Sequence, residues 1–411
     1  TGTFFLASAL PIALIFFLFS IFTSIYIQKI SFYKNKWNFI LLISSVLMIV
    51  SSANRYFMIS SEIVGFDKSE IWLNLFNWIP LFILFSTIKT YLKSEINRIT
   101  FSKYLIAGSI PVIISCILQK WFNWYGPHET LNGLIIWFNK ELHLGDGVSG
   151  LFSNQNYTGF WLSTIFPLSL GILLHKKRSL IKNSFIFIFS TLTFYLTLLT
   201  FSRNAIIGLI TSLTIILGIK LAFQIIVLII FLIIFIYFLT IFYPALFLKF
   251  LETFLPKAVI AKFIGLDFIN FNNWTRLEIW SAAIKLISQK PLLGFGAVSF
   301  SLLFITKYNF SHIHNMPLQL AFDYGIPLSL LLCTFVAMLI MQSWNKIMPR
   351  NYYIINSKDI FVDKCWLVAS IVTVLSHIND ISYYDGMISI LIWILFAGLV
   401  CINEEKKISN Q

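Results

Sequence analysis

Charge is scarce in this chain. Asp, Glu, Lys and Arg make up only 11% of its 411 residues, against 58% hydrophobic, and the mean hydropathy is +0.83. So little polar surface cannot cover a soluble globule, which excludes a water-soluble enzyme and implies a polytopic membrane protein. Acids are scarcer still, 17 against 30 bases, for a formal net charge of +13. The bases are spread over many short connections and form no basic face, which argues against nucleic acid as a partner. Cys116, Cys333, Cys365 and Cys401 lie scattered in or beside apolar runs with no paired spacing, so neither a disulfide framework nor a metal site is inferred. A Walker-type phosphate loop, a GxGxxG opening a helix after a strand, HExxH and a nucleophile elbow are all missing; soluble nucleotide-driven chemistry is not indicated and no cofactor is expected. No inverted transporter-type repeat is evident either.

Long apolar runs are what the chain does have. A helix needs about 20 residues to cross a bilayer, and eleven runs approach that length: 4–27, 38–59, 71–89, 101–119, 157–174, 184–200, 204–219, 222–243, 315–341, 365–378 and 387–402. Lys29, Lys34 and Lys36, Lys89, Lys93, Arg98 and Lys103, Lys176, Lys177, Arg178 and Lys182, and Lys346, Arg350, Lys358 and Lys364 fall in every second connection. By the positive-inside rule those connections are cytoplasmic, and 60–70, 120–156, 201–203, 244–314 and 378–386 face the other side. An odd helix count with a cytoplasmic C-terminus puts Thr1 outside. That leaves two readings: a twelfth helix upstream, or residues 4–27 as an uncleaved anchor of unusual orientation. The expected fold is all-α, a transmembrane helical bundle with one large extracytoplasmic loop carrying short helices. Residues 1–150 form scaffold helices, 151–345 a core with the loop 244–314, and 346–411 the C-terminal helices.

The polar residues that remain gather on the outer face. His312 and His314, two of only six histidines, stand where the long loop meets an apolar helix. There an imidazole can exchange protons with water while facing a lipid-borne substrate. The plainer reading is that His314 and Asn315 cap that helix. Arg203 sits at an apolar hairpin tip and either anchors it in the headgroups or pairs with an anion, for which its forked guanidinium is suited. Thr275-Arg276-Leu277-Glu278 reads as a capping box, with Leu277, Trp280, Ile284 and Ile287 as the apolar stripe and Arg276 in the first turn, where a cation opposes the helix dipole. Pro291 ends that helix, and Gly294-Phe295-Gly296 turns the chain. Asn154 and Asn156 build a turn into the next helix or hydrogen-bond sugar hydroxyls or phosphate oxygens. Asp380 or Asp385 orients an imidazole, pairs with an arginine, or is a solvated loop residue. Arg55 is expected to snorkel to the headgroups, with an anionic pocket as the other reading. Trp121, Trp124, Tyr125 and Trp137 suit an interfacial belt.

In order, these motifs resemble the O-antigen ligase and Wzy-type polymerase superfamily of bacterial envelope glycosyltransferases. The matching pieces are Leu151-Phe152-Ser153-Asn154-Gln155-Asn156-Tyr157-Thr158-Gly159, Phe201-Ser202-Arg203-Asn204-Ala205, and Arg276-Leu277-Glu278-Ile279-Trp280 with Pro291-Leu292-Leu293-Gly294-Phe295-Gly296. Last comes His314-Asn315 with Gly325-Ile326-Pro327 following. They cover roughly 150–330; the flanks agree only in being hydrophobic. Leu328 and Trp280 depart from the ligase pattern, which bears on the ligase subtype more than on the superfamily, and both ligase and polymerase stay open.

The resemblance implies a multi-pass protein of the bacterial inner membrane. It would transfer a glycan, at the periplasmic face and without metal or cofactor, from an undecaprenyl diphosphate-linked donor to a glycan or glycolipid acceptor. Arg203 and Arg276 would hold the diphosphate, and His314 would activate the acceptor hydroxyl or orient the donor. Two other readings compete. A basic polytopic protein could pass a small anion such as bicarbonate, although the helix midplanes read as nearly free of charge. Transfer of the glycan onto a protein side chain is the third.

Overall fold

The computed structural model describes residues 1–26, 35–58, 68–143, 145–175, 180–218, 275–304, 312–348 and 360–405, with single positions between 220 and 231. It is an all-α bundle. Its long helices are α1 (Leu10–Tyr26), α2 (Lys36–Met58), α3 (Ser69–Tyr91), α4 (Glu95–Trp121), α5 (Gln155–His175), α6 (Leu180–Leu199) and α7 (Arg203–Leu217). They continue with α8 (Thr275–Gln289), α9 (Met316–Tyr324), α10 (Ile326–Ile347), α11 (Ile360–Asn379) and α12 (Gly386–Glu404). Among the described residues eight helices are long and apolar enough to cross a membrane, and α1 and α7 are shorter apolar helices. Ten of the eleven apolar runs therefore correspond to helices, and the eleventh, 222–243, lies outside the described residues. One antiparallel hairpin, β1 (His128–Thr130) with β2 (Ile135–Trp137), interrupts the helical pattern in the 120–156 connection.

Helices that are apolar on all sides belong in the middle of a bundle, and α12 and α5 are the most enclosed of the spans. In hydrocarbon there is no hydrophobic drive between helices, so close approach at small residues does the packing. Gly398 illustrates this: a Cβ there would stand 2.2 Å from Trp366 Nε1, which donates instead to the Leu395 carbonyl at 2.8 Å. Trp393, Phe335, Phe85 and Phe82 fill the adjoining core with edge-on ring contacts.

Polar contacts collect at the two ends of the bundle. At one end Arg98, fully buried, grips both carboxylate oxygens of Asp363 at 2.7 and 2.8 Å and reaches Glu405 at 2.6 Å. Its remaining donors meet the Leu92 and Lys93 carbonyls. Close by, Lys346 holds the carbonyls of Ile402, Asn403 and Glu405. Several residues that the sequence offers only as topological charge thus tie α4, α10, α11 and α12 together. The other end carries Asp380 on α11's far side, roughly 25 Å from Asp363 at 1.5 Å rise per residue.

Three runs differ from expectation. The run 315–341 is two helices: Gly325, at φ +95°, ends α9, and Pro327 opens α10. Glycine is required there twice over, by the left-handed backbone and because a Cβ would lie 2.0 Å from the Leu292 carbonyl oxygen. The break is fixed to the Pro291–Gly296 turn by Ile326 N–H donating to the Pro291 carbonyl at 2.7 Å. The short run 365–378 extends back to Ile360, because pairing with Arg98 lets Asp363 enter the helix. The run 4–27 is broken, with Gly2–Phe5 a separate turn before α1.

The Arg98 cluster yields a prediction. Removing one partner of a buried pair leaves the other charge uncompensated, so Arg98→Ala should destabilise the protein by about 3–5 kcal/mol. Glu405, more exposed than Asp363, contributes little, and Glu405→Gln should cost under about 1 kcal/mol. Thermal unfolding of the detergent-solubilised variants checks both.

Candidate functional site

The hairpin joining α6 to α7 turns within three residues. Phe201 takes a left-handed φ of +53°, Ser202 is extended, and α7 begins at Arg203, whose side chain is exposed. The 120–156 connection supports this tip: Val148 N–H donates to the Leu199 carbonyl at 3.0 Å, and Gly147 N–H donates to the Gln155 amide oxygen. An arginine is therefore placed at a helix N-terminus, among backbone N–H groups that have no partner within the helix.

A second arginine is presented the same way. Arg276 is the second residue of α8; Thr275 is already helical, and its cap lies outside the described residues. The buried stripe of α8 is Ile279, Ala283 and Ile287, packed on Phe295, Phe300, Ile313, Ala321 and Phe322. The expected stripe is rotated from this: Leu277 and Ile284 are more than half exposed, because the helix lies on α9 through its 279–283–287 edge. Trp280, one turn beyond Arg276, donates its indole N–H to the Ile313 carbonyl at 3.0 Å and so fixes α8 against the residue before His314.

His314 itself has φ +55°, a conformation that L residues rarely adopt. Its Nδ1 lies 2.9 Å from Asp380 Oδ1. A carboxylate only accepts, so Nδ1 is the donor in this hydrogen bond. Burial pushes the Asp380 carboxyl up. The hydrogen bond and charge of His314, the Ile381 N–H and the charge of Arg276 outweigh that and hold it below the usual carboxylate range. His312, its ring 5.1 Å from that of His314, is pushed down by burial and then by His314, against a smaller pull from Asp380. A histidine lowered in this way is neutral at neutral pH.

Arg203, Arg276 and Asp380 border one polar cavity of about 460 Å³, with His314 behind Asp380. Asn156, Ser202, Arg203, Asn204, Arg276, Trp280, Asn379 and Asp380 line it, with Phe201 and Leu277 at its apolar side. An adjoining cavity of about 440 Å³, between α9, α10, α11 and α12, is almost wholly apolar and includes Met316, Pro317, His377 and Ile378. The hydrogen bond from Asn315 Nδ2 to the Ile378 carbonyl, 2.8 Å, ties the start of α9 to the end of α11, where Ile378 borders the apolar cavity and Asn379 the polar one. Two helix N-termini, two guanidinium groups and an imidazole–carboxylate pair at one cavity suit an anion with a hydroxyl beside it.

The structure separates the candidate residues into groups. Arg203, Arg276, Asn156 and Asp380 line the cavity, His314 joins it through Asp380, and the His312 ring lies tilted against that of His314. Asn315 caps α9, accepting from Leu318 N–H at 3.0 Å, so capping and bridging coexist there. Asn154 is exposed and accepts from Asn156 N–H at the start of α5. Asp385 caps α12 through the N–H groups of Met387 and Ile388 and does not line the cavity. Arg55 does not snorkel: it is 4% exposed and packs on Gly296, because the Pro291–Gly296 turn folds over the end of α2. Trp137 is tied to the Ser8 carbonyl at 2.7 Å, and Trp124 stacks on His128.

Some site residues escaped sequence reasoning. Asn204, quoted above only within the hairpin motif, and Asn379, which falls in the outer connection 378–386, line the cavity. Asp323 is 1% exposed and accepts from Gln319 Nε2 at 2.9 Å and from Tyr384 OH at 3.3 Å. The midplane reading overlooked it, although a lone acid inside an apolar run is a signal of function in its own right.

Residues 185–333 match the family model described as O-antigen ligase. A search of curated proteins finds no match. The matched stretch takes in Arg203, Arg276 and His314; Asn154, Asn156 and Asp380 lie outside it. This core, bearing both cavity arginines and the histidine, is what the chain shares with the O-antigen ligase family; the match supports a place in the O-antigen ligase and Wzy-type superfamily.

Proposed function

We propose that this chain transfers a glycan from an undecaprenyl diphosphate carrier to an acceptor hydroxyl at the periplasmic face of the bacterial inner membrane. The observation that carries this reading is the convergence of Arg203, Arg276 and Asp380 on one polar cavity, with His314 hydrogen-bonded to Asp380. The adjoining apolar cavity supports it, since a lipid diphosphate needs a wet site for its head beside a dry one for its chain. The periplasmic assignment rests on charge: Lys89, Arg98 and Lys346 gather at the end of the bundle opposite Asp380.

The chemistry follows from the groups present. Breaking the bond between the anomeric carbon and the diphosphate leaves negative charge on the carrier. Arg203, Arg276 and the N–H groups of the first turns of α7 and α8 lie ready to stabilise that charge as it develops. His314 Nε2 takes the acceptor's proton as its oxygen attacks, and Asp380 steadies the imidazolium that forms. Attack opposite the leaving group in a single displacement inverts the anomeric carbon. The acceptor is lipid A–core in a ligase, or a second carrier-linked unit in a polymerase.

In proteoliposomes supplied with carrier-linked glycan, His314→Ala should lower kcat at least about 100-fold, the usual contribution of a positioned base. Arg276→Ala and Arg203→Ala should each weaken donor binding or turnover by about 1.5–3 kcal/mol, the worth of hydrogen bonds to a charged group. Full transfer by His314→Ala and Arg276→Ala, inserted and folded, would overturn the assignment. Nuclear magnetic resonance of the product should show inversion at the transferred sugar. Mass spectrometry of envelope glycans and carrier lipids, with and without the protein, should show carrier-linked glycan accumulating in its absence. Loss of a capped glycolipid would indicate a ligase and loss of chain length a polymerase.

A further inference from the structure

We propose that Asp323 is the positioning residue of the His314–Asp380 pair, holding the chain on both sides of it through Gln319 and Tyr384. The catalytic meaning of this role rests on the glycan-transfer reading; the geometry does not.

Asp323 lies on α9 with 1% of its surface exposed, outside the cavity and without contact to the reacting groups. An acid is placed there only where donors compensate it. One carboxylate oxygen accepts from Gln319 Nε2 at 2.9 Å and the other from Tyr384 OH at 3.3 Å. Its backbone carbonyl accepts from Gly296 N–H at 3.0 Å, which joins α9 to the turn that follows α8.

The first arm leads to His314. Gln319 Oε1 accepts from Ile313 N–H at 3.0 Å, and Trp280 binds the carbonyl of the same residue. Ile313 is thus clamped at both backbone groups immediately before the left-handed His314. An amide can present its oxygen to Ile313 only if its nitrogen points the other way, toward Asp323. With an apolar residue at 323, the buried Gln319 nitrogen loses its acceptor and the amide is free to rotate, which turns a donor toward the Ile313 donor. Ile313 would then keep only the Trp280 contact, and His314 would be held less firmly in a backbone conformation that side chains disfavour.

The second arm leads to Asp380. Tyr384 lies on the short connection between α11 and α12 that begins at Asp380. Tyr383 beside it is anchored by donating to the Asn77 carbonyl at 3.0 Å and accepting from Trp393 Nε1 at 2.8 Å. One buried carboxylate therefore binds the two chain segments that carry the imidazole and its partner. Their separation, 2.9 Å between Nδ1 and Oδ1, is set from below.

The test compares Asp323→Leu with Asp323→Asn. Asparagine keeps both arms, since its oxygen accepts from Gln319 and its nitrogen donates to the Tyr384 hydroxyl; leucine keeps neither. The first readout is modification of His314 by diethyl pyrocarbonate at one fixed pH, followed by peptide mass spectrometry, which needs no transferase activity. Release of the ring from Asp380 should raise the His314 rate at least about threefold in Asp323→Leu and leave Asp323→Asn near the parent. The second readout is transfer: Asp323→Leu should lower kcat about 10-fold or more, with the donor KM within about twofold, and Asp323→Asn should restore most of it.

An unchanged His314 rate in a folded Asp323→Leu protein would overturn the proposal. So would equal impairment of the leucine and asparagine variants, because charge rather than geometry would then be the requirement. If Asp323→Leu does not fold, Gln319→Leu and Tyr384→Phe each cut one arm and are read the same way. Wild-type transfer by His314→Ala would remove the glycan-transfer reading, while the modification rates would still judge the positioning role.

Discussion

The hydrogen bond between His314 and Asp380 closes the site. His314 comes from the end of the long connection, Asp380 from the tip between the last two helices, and 66 residues separate them. Neither group has the right environment alone: an imidazole on a loop is a solvated base, and a buried carboxylate in an apolar bundle is disfavoured. Paired, each meets the other's requirement, and the Arg276 charge adds to the same balance. The rest of the bundle holds the two ends of that bond at the same height.

The membrane explains how it does so. Backbone polar groups must be satisfied inside hydrocarbon, so the spans are helices, and irregular chain is confined to the ends or to places sheltered by protein. The break at Gly325 is of the sheltered kind. It is enclosed by the Pro291–Gly296 turn, which in turn lies over Arg55 and the end of α2. The connection bearing Arg276 is thereby packed onto the core at several points, and its arginine has a fixed place relative to the one at the α6–α7 tip.

Much of this was legible in the chain. Apolar run length located ten helices, and the spacing of bases set their alternation, because both follow from the bilayer rather than from packing detail. The motifs around Arg203, Arg276 and His314 pointed to one face for the same reason. What stayed hidden depends on partners distant in sequence. The run 365–378 stops short of the helix, and only Arg98, distant in sequence, explains how Asp363 enters it. Asp380 and Asp385 were indistinguishable as loop acids, although one bonds an imidazole and the other caps a helix. The buried edge of α8 was misjudged by about a third of a turn, since periodicity gives a stripe's spacing but not which neighbour it meets. Asp323 reads as an anomaly in an apolar run, and only Gln319 and Tyr384 explain it.

The Asn315–Ile378 hydrogen bond ties the start of α9 to the end of α11, where Ile378 borders the apolar cavity and Asn379 the polar one. On the glycan-transfer reading, an amphiphile would be registered by its head, because the arginines line the polar cavity and the apolar one offers only non-directional contacts. Such a design would measure the junction between head and chain, and would be indifferent to how long the chain is.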